Sequence, residues 1–129
     1  MKRINLNEEN NIPNFIGSWI YEKNDFCDEI INFFEENKNL QQKGVTAGGV
    51  NEKIKKTTDI VINPNDLKEK KYNIFNDYFL KLKQCFDDYR EQYPFLKTFI
   101  NKIHIGQFNV QKYSPGDHFG KLHTERTEI

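Results

Sequence analysis

The chain has 129 residues, enough for one domain around one core and too few for two ordinary domains. Its 19 basic and 19 acidic residues cancel, which removes the one-signed field that draws a protein onto nucleic acid or an anionic membrane, so neither is expected as a partner. Aromatic residues reach 14%, with eleven Phe and six Tyr, more than a disordered chain of low hydrophobicity carries, and the chain is expected to fold beneath a surface rich in Asn and Lys.

The opening stretch, MKRINLNEENNIP, is polar and lacks the apolar core of a secretory signal. No later segment approaches the length of a membrane span, which makes the cytoplasm the default compartment. A short strand is predicted over 15–21, then a helix over 25–37 with Asp25 as N-cap and Asp28 at the third helical position. Helical spacing sets Cys27, Ile30, Ile31 and Phe34 on one face of it, before ENKNLQQKG ends the helix. The run GVTAGGVN, 44–51, is rich in glycine but lacks the Lys-Ser/Thr ending and spacing of a phosphate loop, and reads as a hairpin or a mobile loop. Thr57 to Ile62, TTDIVI, is a predicted strand closed by the Asn-Pro-Asn-Asp turn.

Phe75, Tyr78, Phe79, Leu82, Phe86, Tyr89 and Tyr93 recur at steps of three and four. They predict a helix of about five turns with one broad aromatic face, packed across a sheet and ended by Pro94. Such a stripe reads as core rather than as a ligand platform. In INKIHIGQFNVQKY, 100–113, apolar and polar residues alternate, but the parity changes near Gly106, which predicts a bulge or bend within a strand. The later half sets Phe108 and Val110 on one face, with Asn109, Gln111 and Tyr113 on the other. Cys27 and Cys85 are far apart and fall on the buried sides of the two predicted helices, so they read as reduced core residues rather than a disulfide or a Cys-rich zinc site.

Three histidines are present, and two of them, His118 and His123, fall in the last twelve residues. His123 and Glu125 are two apart, so in an extended chain both side chains project to one side and Thr124 to the other. Imidazole nitrogen and carboxylate oxygen so placed can chelate one divalent metal ion. With a second histidine they complete the two-His, one-carboxylate triad that suits Fe(II) and leaves positions open for substrate and oxygen.

The stretch QKYSPGDHFGKLHTER resembles the first half of the iron-binding motif of the Fe(II)/2-oxoglutarate-dependent dioxygenases, and among them the prolyl 4-hydroxylase-like group. In that group a strand ending in Gln/Arg-x-Tyr precedes a Pro-Gly turn, an aromatic residue and His-x-Asp. Here the elements fall in the same order as Gln111, Tyr113, Pro115-Gly116, Phe119, His123 and Glu125, and the upstream helix, strand and long aromatic helix are also similar. The resemblance implies an α+β fold, the N-terminal part of a double-stranded β-helix, or jelly roll, with buttressing helices. It implies Fe(II) held by His123 and Glu125, and Tyr113 on the co-substrate 2-oxoglutarate, and it admits ascorbate as a further cofactor. The implied reaction converts 2-oxoglutarate to succinate and carbon dioxide while a C–H bond is hydroxylated in a peptide, prolyl side chains first, or in a small molecule.

Glu125 departs from the family's usual Asp, and its extra methylene carries the carboxylate outward; His-Thr-Glu-Arg resembles a subset of bacterial and phage-like members. By the same resemblance, the distal iron histidine and the Arg or Lys that pairs with 2-oxoglutarate would come after Glu125. His104 and His118 precede it and do not match in order, which leaves His118 as a turn or surface residue and His104 as part of the motif strand. One truncated domain over 1–129 is therefore expected, carrying the first half of the iron site and inactive alone. Two other readings are a non-catalytic binding or structural domain on the same scaffold, and a cupin-like enzyme with another metal, which would call for a denser His/Glu set.

Overall fold

A computed structural model describes residues 2–4, 15–22, 25–100 and 102–123. They adopt a mixed α+β fold in which the strands form small antiparallel sheets and no closed barrel. Two compact units divide the chain, Met1–Asn32 with Asn65–Ile105 and Phe33–Pro64 with Gly106–Ile129. No helix among the described residues is long and apolar enough to cross a membrane.

In the first unit, β1 (Lys2–Ile4) pairs antiparallel with β2 (Ser18–Ile20), Lys2 opposite Ile20 and Ile4 opposite Ser18. The expected strand over 15–21 is thus real but shorter, and its partner lies in a stretch too polar to announce itself. The long aromatic helix is α2 (Asn73–Gln92), and its last turn closes at Tyr93, just before Pro94, whose ring disfavours a helical residue ahead of it. Tyr72, Phe75 and Tyr93 are buried. The helix meets the β1–β2 ribbon through Asp88, whose Oδ2 accepts from Trp19 Nε1 at 2.7 Å and from Arg3 Nη1 at 3.2 Å. One turn of chain later comes α3 (Leu96–Phe99).

The division between units falls within α1 (Phe26–Glu36), whose limits match the expected helix. Its buried face matches at Phe34 and otherwise departs: Phe26 and Phe33 are buried with Phe34, whereas Cys27 is exposed and Ile31 is 56% exposed. Adjacent stripes of a helix differ by about 100°, and the one that is buried is the one carrying the larger aromatic area. Phe26 lies edge-on to Tyr21 at 5.1 Å and stacks with Tyr78 at 6.5 Å, contacts that a thiol at the next position could not replace.

In the second unit, β5 (Thr58–Ile62) is the centre of an antiparallel sheet between β3 (Gln41–Lys43) and β6 (Phe108–Lys112). The register sets Asp59 opposite Gln111, Ile60 opposite Val110 and Ile62 opposite Phe108. Ile60, Ile62, Phe108 and Val110 therefore share one face, and Asp59, Asn109 and Gln111 the other, as the alternation of residues predicts. Ile60 and Ile62 are fully buried. Residues 44–51 belong to the hairpin connection between β3 and β5, where Thr46 and Gly49 exchange backbone hydrogen bonds at 3.0 and 2.9 Å. Gly44 is required there, because a Cβ would come within 2.0 Å of Thr57 Oγ1.

The strand expected across Gly106 is not formed. Residues 102–107 carry no strand, Gly106 is not a bulge, and His104 lies outside β6. The reason is the partner: β5 ends at Ile62 opposite Phe108, and the chain then turns at Pro64, which has no N–H to offer a ladder. Among the described residues, no strand lies on that edge for the residues before Phe108 to pair with.

Candidate functional site

The motif begins at the end of β6. Ser114, Pro115, Gly116 and Asp117 make a tight turn in which the Asp117 N–H donates to Ser114 O at 2.8 Å and Gly116 takes a φ of +86°. Proline presets the first central position and glycine alone accepts the second without strain, the pattern of a type II turn. Asp117 locks it from outside: Oδ2 accepts from the Ser114 N–H at 2.8 Å, and Oδ1 faces Lys56 Nζ at 2.9 Å. The Lys56 ammonium, and after it the Ser114 amide, hold the Asp117 carboxyl below the usual carboxylate range.

The turn delivers β7 (His118–Phe119) antiparallel to β4 (Lys55–Lys56), with Phe119 opposite Lys55, and Gly120 N–H donates to Ile54 O at 2.8 Å. His118 is exposed, its Nε2 3.4 Å from Lys53 O, and it is a strand residue at the surface rather than part of the turn. Four residues on, the His123 ring stacks on Phe119 with centroids 3.9 Å apart and planes 19° apart. Its Nδ1 lies 2.9 Å from Lys121 O. A carbonyl oxygen only accepts, so a hydrogen bond here is one that Nδ1–H donates, which in the neutral ring leaves the lone pair on Nε2. Glu125 lies outside the described residues. Tyr113 follows directly on β6 and is 46% exposed.

One cluster on this unit is not singled out by the motif. Lys55 and Asp59 are 5% and 2% exposed and form an ion pair, Nζ to Oδ2, at 3.0 Å. Gln111 Nε2 donates to the same Oδ2 at 3.0 Å, while Asp59 Oδ1 and Thr57 Oγ1 are buried without a protein partner. The signal was in the sequence: a carboxylate inside TTDIVI is costly unless something pairs with it. What the sequence does not show is that its partner is Lys55.

No family model, curated protein or solved structure matches this chain.

The donor chemistry of His123 fits a metal ligand. Ligating histidines almost always donate the second ring N–H to a carbonyl or carboxylate, which fixes the tautomer and raises the basicity of the ligating nitrogen. Lys121 O stands where that acceptor is needed. Among the described residues no three His, Cys, Asp or Glu side chains converge. In the first unit, Cys27 and Cys85 are not disulfide-bonded and line one cavity of about 260 Å³ walled by Trp19, Tyr21, Phe26 and Tyr78. Burial pushes the Cys85 thiol up, away from the thiolate form that a nucleophile needs.

Proposed function

We propose that the chain belongs to an Fe(II)- and 2-oxoglutarate-dependent oxygenase of the prolyl hydroxylase-like kind, with His123 and Glu125 as two protein ligands of the iron and the double-stranded β-helix as the parent scaffold. One observation carries this reading: the strand, the Pro-Gly turn and the aromatic residue end on an imidazole that stacks on Phe119 with its Nδ1 2.9 Å from Lys121 O. Iron and 2-oxoglutarate, when bound, supply the coupling of 2-oxoglutarate decarboxylation to hydroxylation of an unactivated C–H bond, with ascorbate as a supporting reductant.

The chain's own residues bind and orient. His123 offers a neutral nitrogen ligand, and Glu125 a carboxylate that offsets part of the metal's charge. Tyr113, at the exposed end of β6, offers a phenol O–H to a carboxylate of 2-oxoglutarate. A peptide prolyl side chain is the first substrate class, with other peptides and small molecules after it.

A non-catalytic binding or structural domain on the same scaffold is the second reading. It is favoured by the exposure of His123. Mn(II) binding separates the two, because the chain alone is expected to be inactive. The oxygenase reading predicts an affinity that His123→Ala and Glu125→Ala each weaken by at least about tenfold. Binding equal in wild type and both variants would contradict it.

A further inference from the structure

The Lys55–Asp59 pair has no part in the ligand set above, yet it is the most deeply buried pair of opposite charges among the described ion pairs. Taking two charges out of water is expensive, and an apolar pair of equal volume is often as stable or more so. Stability alone is therefore a poor reason for it. Its connections are more informative. Gln111 on β6 holds the Asp59 carboxylate on β5, and Asp59 holds the Lys55 ammonium on β4. The ammonium lies over the Phe119 ring on β7, 5.7 Å from its centroid, within the range in which a cation is drawn to an aromatic face. Phe119 then stacks on His123. Four strands and both sheets of the unit are joined in one line that ends on the imidazole.

We propose that the Lys55–Asp59 pair is a positioning device that sets the orientation of the His123 ring through Phe119. Lys55 and Asp59 are positioning residues outside the proposed ligand set. The metal affinity of His123 should depend on them; that part rests on the oxygenase reading, whereas the aiming of the ring does not. A desolvated ammonium holds the Phe119 ring at one place, and a ring held there leaves the imidazole one stacked orientation. Lys55 also sits opposite Phe119 in the β4–β7 register, so the contact is built into the strand pairing.

The test reads His123 directly, by proton NMR of its ring in the metal-free chain, where stacking on Phe119 displaces the ring signals. Phe119→Leu gives the reference without the stack. Lys55→Met with Asp59→Leu removes the charges at similar volume, and Asp59→Asn removes only the counter-charge. In variants that retain native circular dichroism, the His123 signals should move to the Phe119→Leu position while those of His104 stay. Mn(II) affinity should weaken about tenfold, the range seen when partners behind a metal ligand are removed. His123 signals unchanged in a folded variant would overturn the proposal. Failure of both variants to fold would overturn it too, since the pair would then be a requirement of the fold rather than a device for aiming one ring. If the wild type binds no Mn(II), the oxygenase reading fails, and the NMR comparison still decides the positioning.

Discussion

A Cβ on Gly116 would meet no atom within 4 Å, so alanine there costs only what it takes to hold a side chain at a φ of +86°. That is about 1–2 kcal/mol. Gly106 is also in open space but has no left-handed φ, and alanine there should be neutral or stabilising by up to about 1 kcal/mol. Urea unfolding of Gly116→Ala and Gly106→Ala reads the difference; equal effects would contradict the turn assigned to Pro115-Gly116. Asp117 carries a pH dependence of definite sign. Its folded pKa is lowered, first by Lys56, so the stabilisation it gives is complete above the unfolded value of about 4 and is lost as pH falls through the lower folded value. Asp117→Asn should flatten the acid side of the stability profile and leave neutral pH less stable than wild type. Turn chemistry is local, which is why Pro115-Gly116 was legible in the sequence. The burial of Phe26 rather than Cys27 was not, because neighbouring stripes of one helix are separated only by what packs against them.

At the scale of the elements, β5 and α1 make opposite predictions for isoleucine. Ile60 is fully buried at the centre of the sheet, and Ile60→Ala should cost about 2–5 kcal/mol. Ile31, which helical spacing alone places with the core, is 56% exposed, and Ile31→Ala should stay within about 0.5 kcal/mol. Equilibrium unfolding of the two variants distinguishes the observed face of α1 from the expected one. On α2, Asp88 gathers Trp19 and Arg3 but is itself 44% exposed, so solvent screens the pair, and Asp88→Ala should cost about 1 kcal/mol. The helix was legible because seven residues repeat its period. The strand placed across Gly106 was not, because alternation shows that a segment could be a strand and says nothing of whether an edge is there to receive it.

Over the molecule as a whole, periodicity and turn chemistry led to the two longer helices and the two-faced β6, because both depend on neighbours in sequence, whereas the α+β class came from the resemblance. The β4–β7 pairing joins residues more than sixty positions apart, and the Asp59–Gln111 contact depends on the long-range β5–β6 pairing. His123 was legible as a residue type at a spacing; its contact with Lys121 O and its stack on Phe119 are products of the fold. If this imidazole is an iron ligand beside a 2-oxoglutarate site, as proposed, anaerobic calorimetry of Fe(II) or Mn(II) into the wild type and His123→Ala, each with and without 2-oxoglutarate, will show it. Micromolar binding that requires His123 and tightens with 2-oxoglutarate is the predicted result. Binding that is absent from the wild type, or indifferent to both His123 and 2-oxoglutarate, would contradict it.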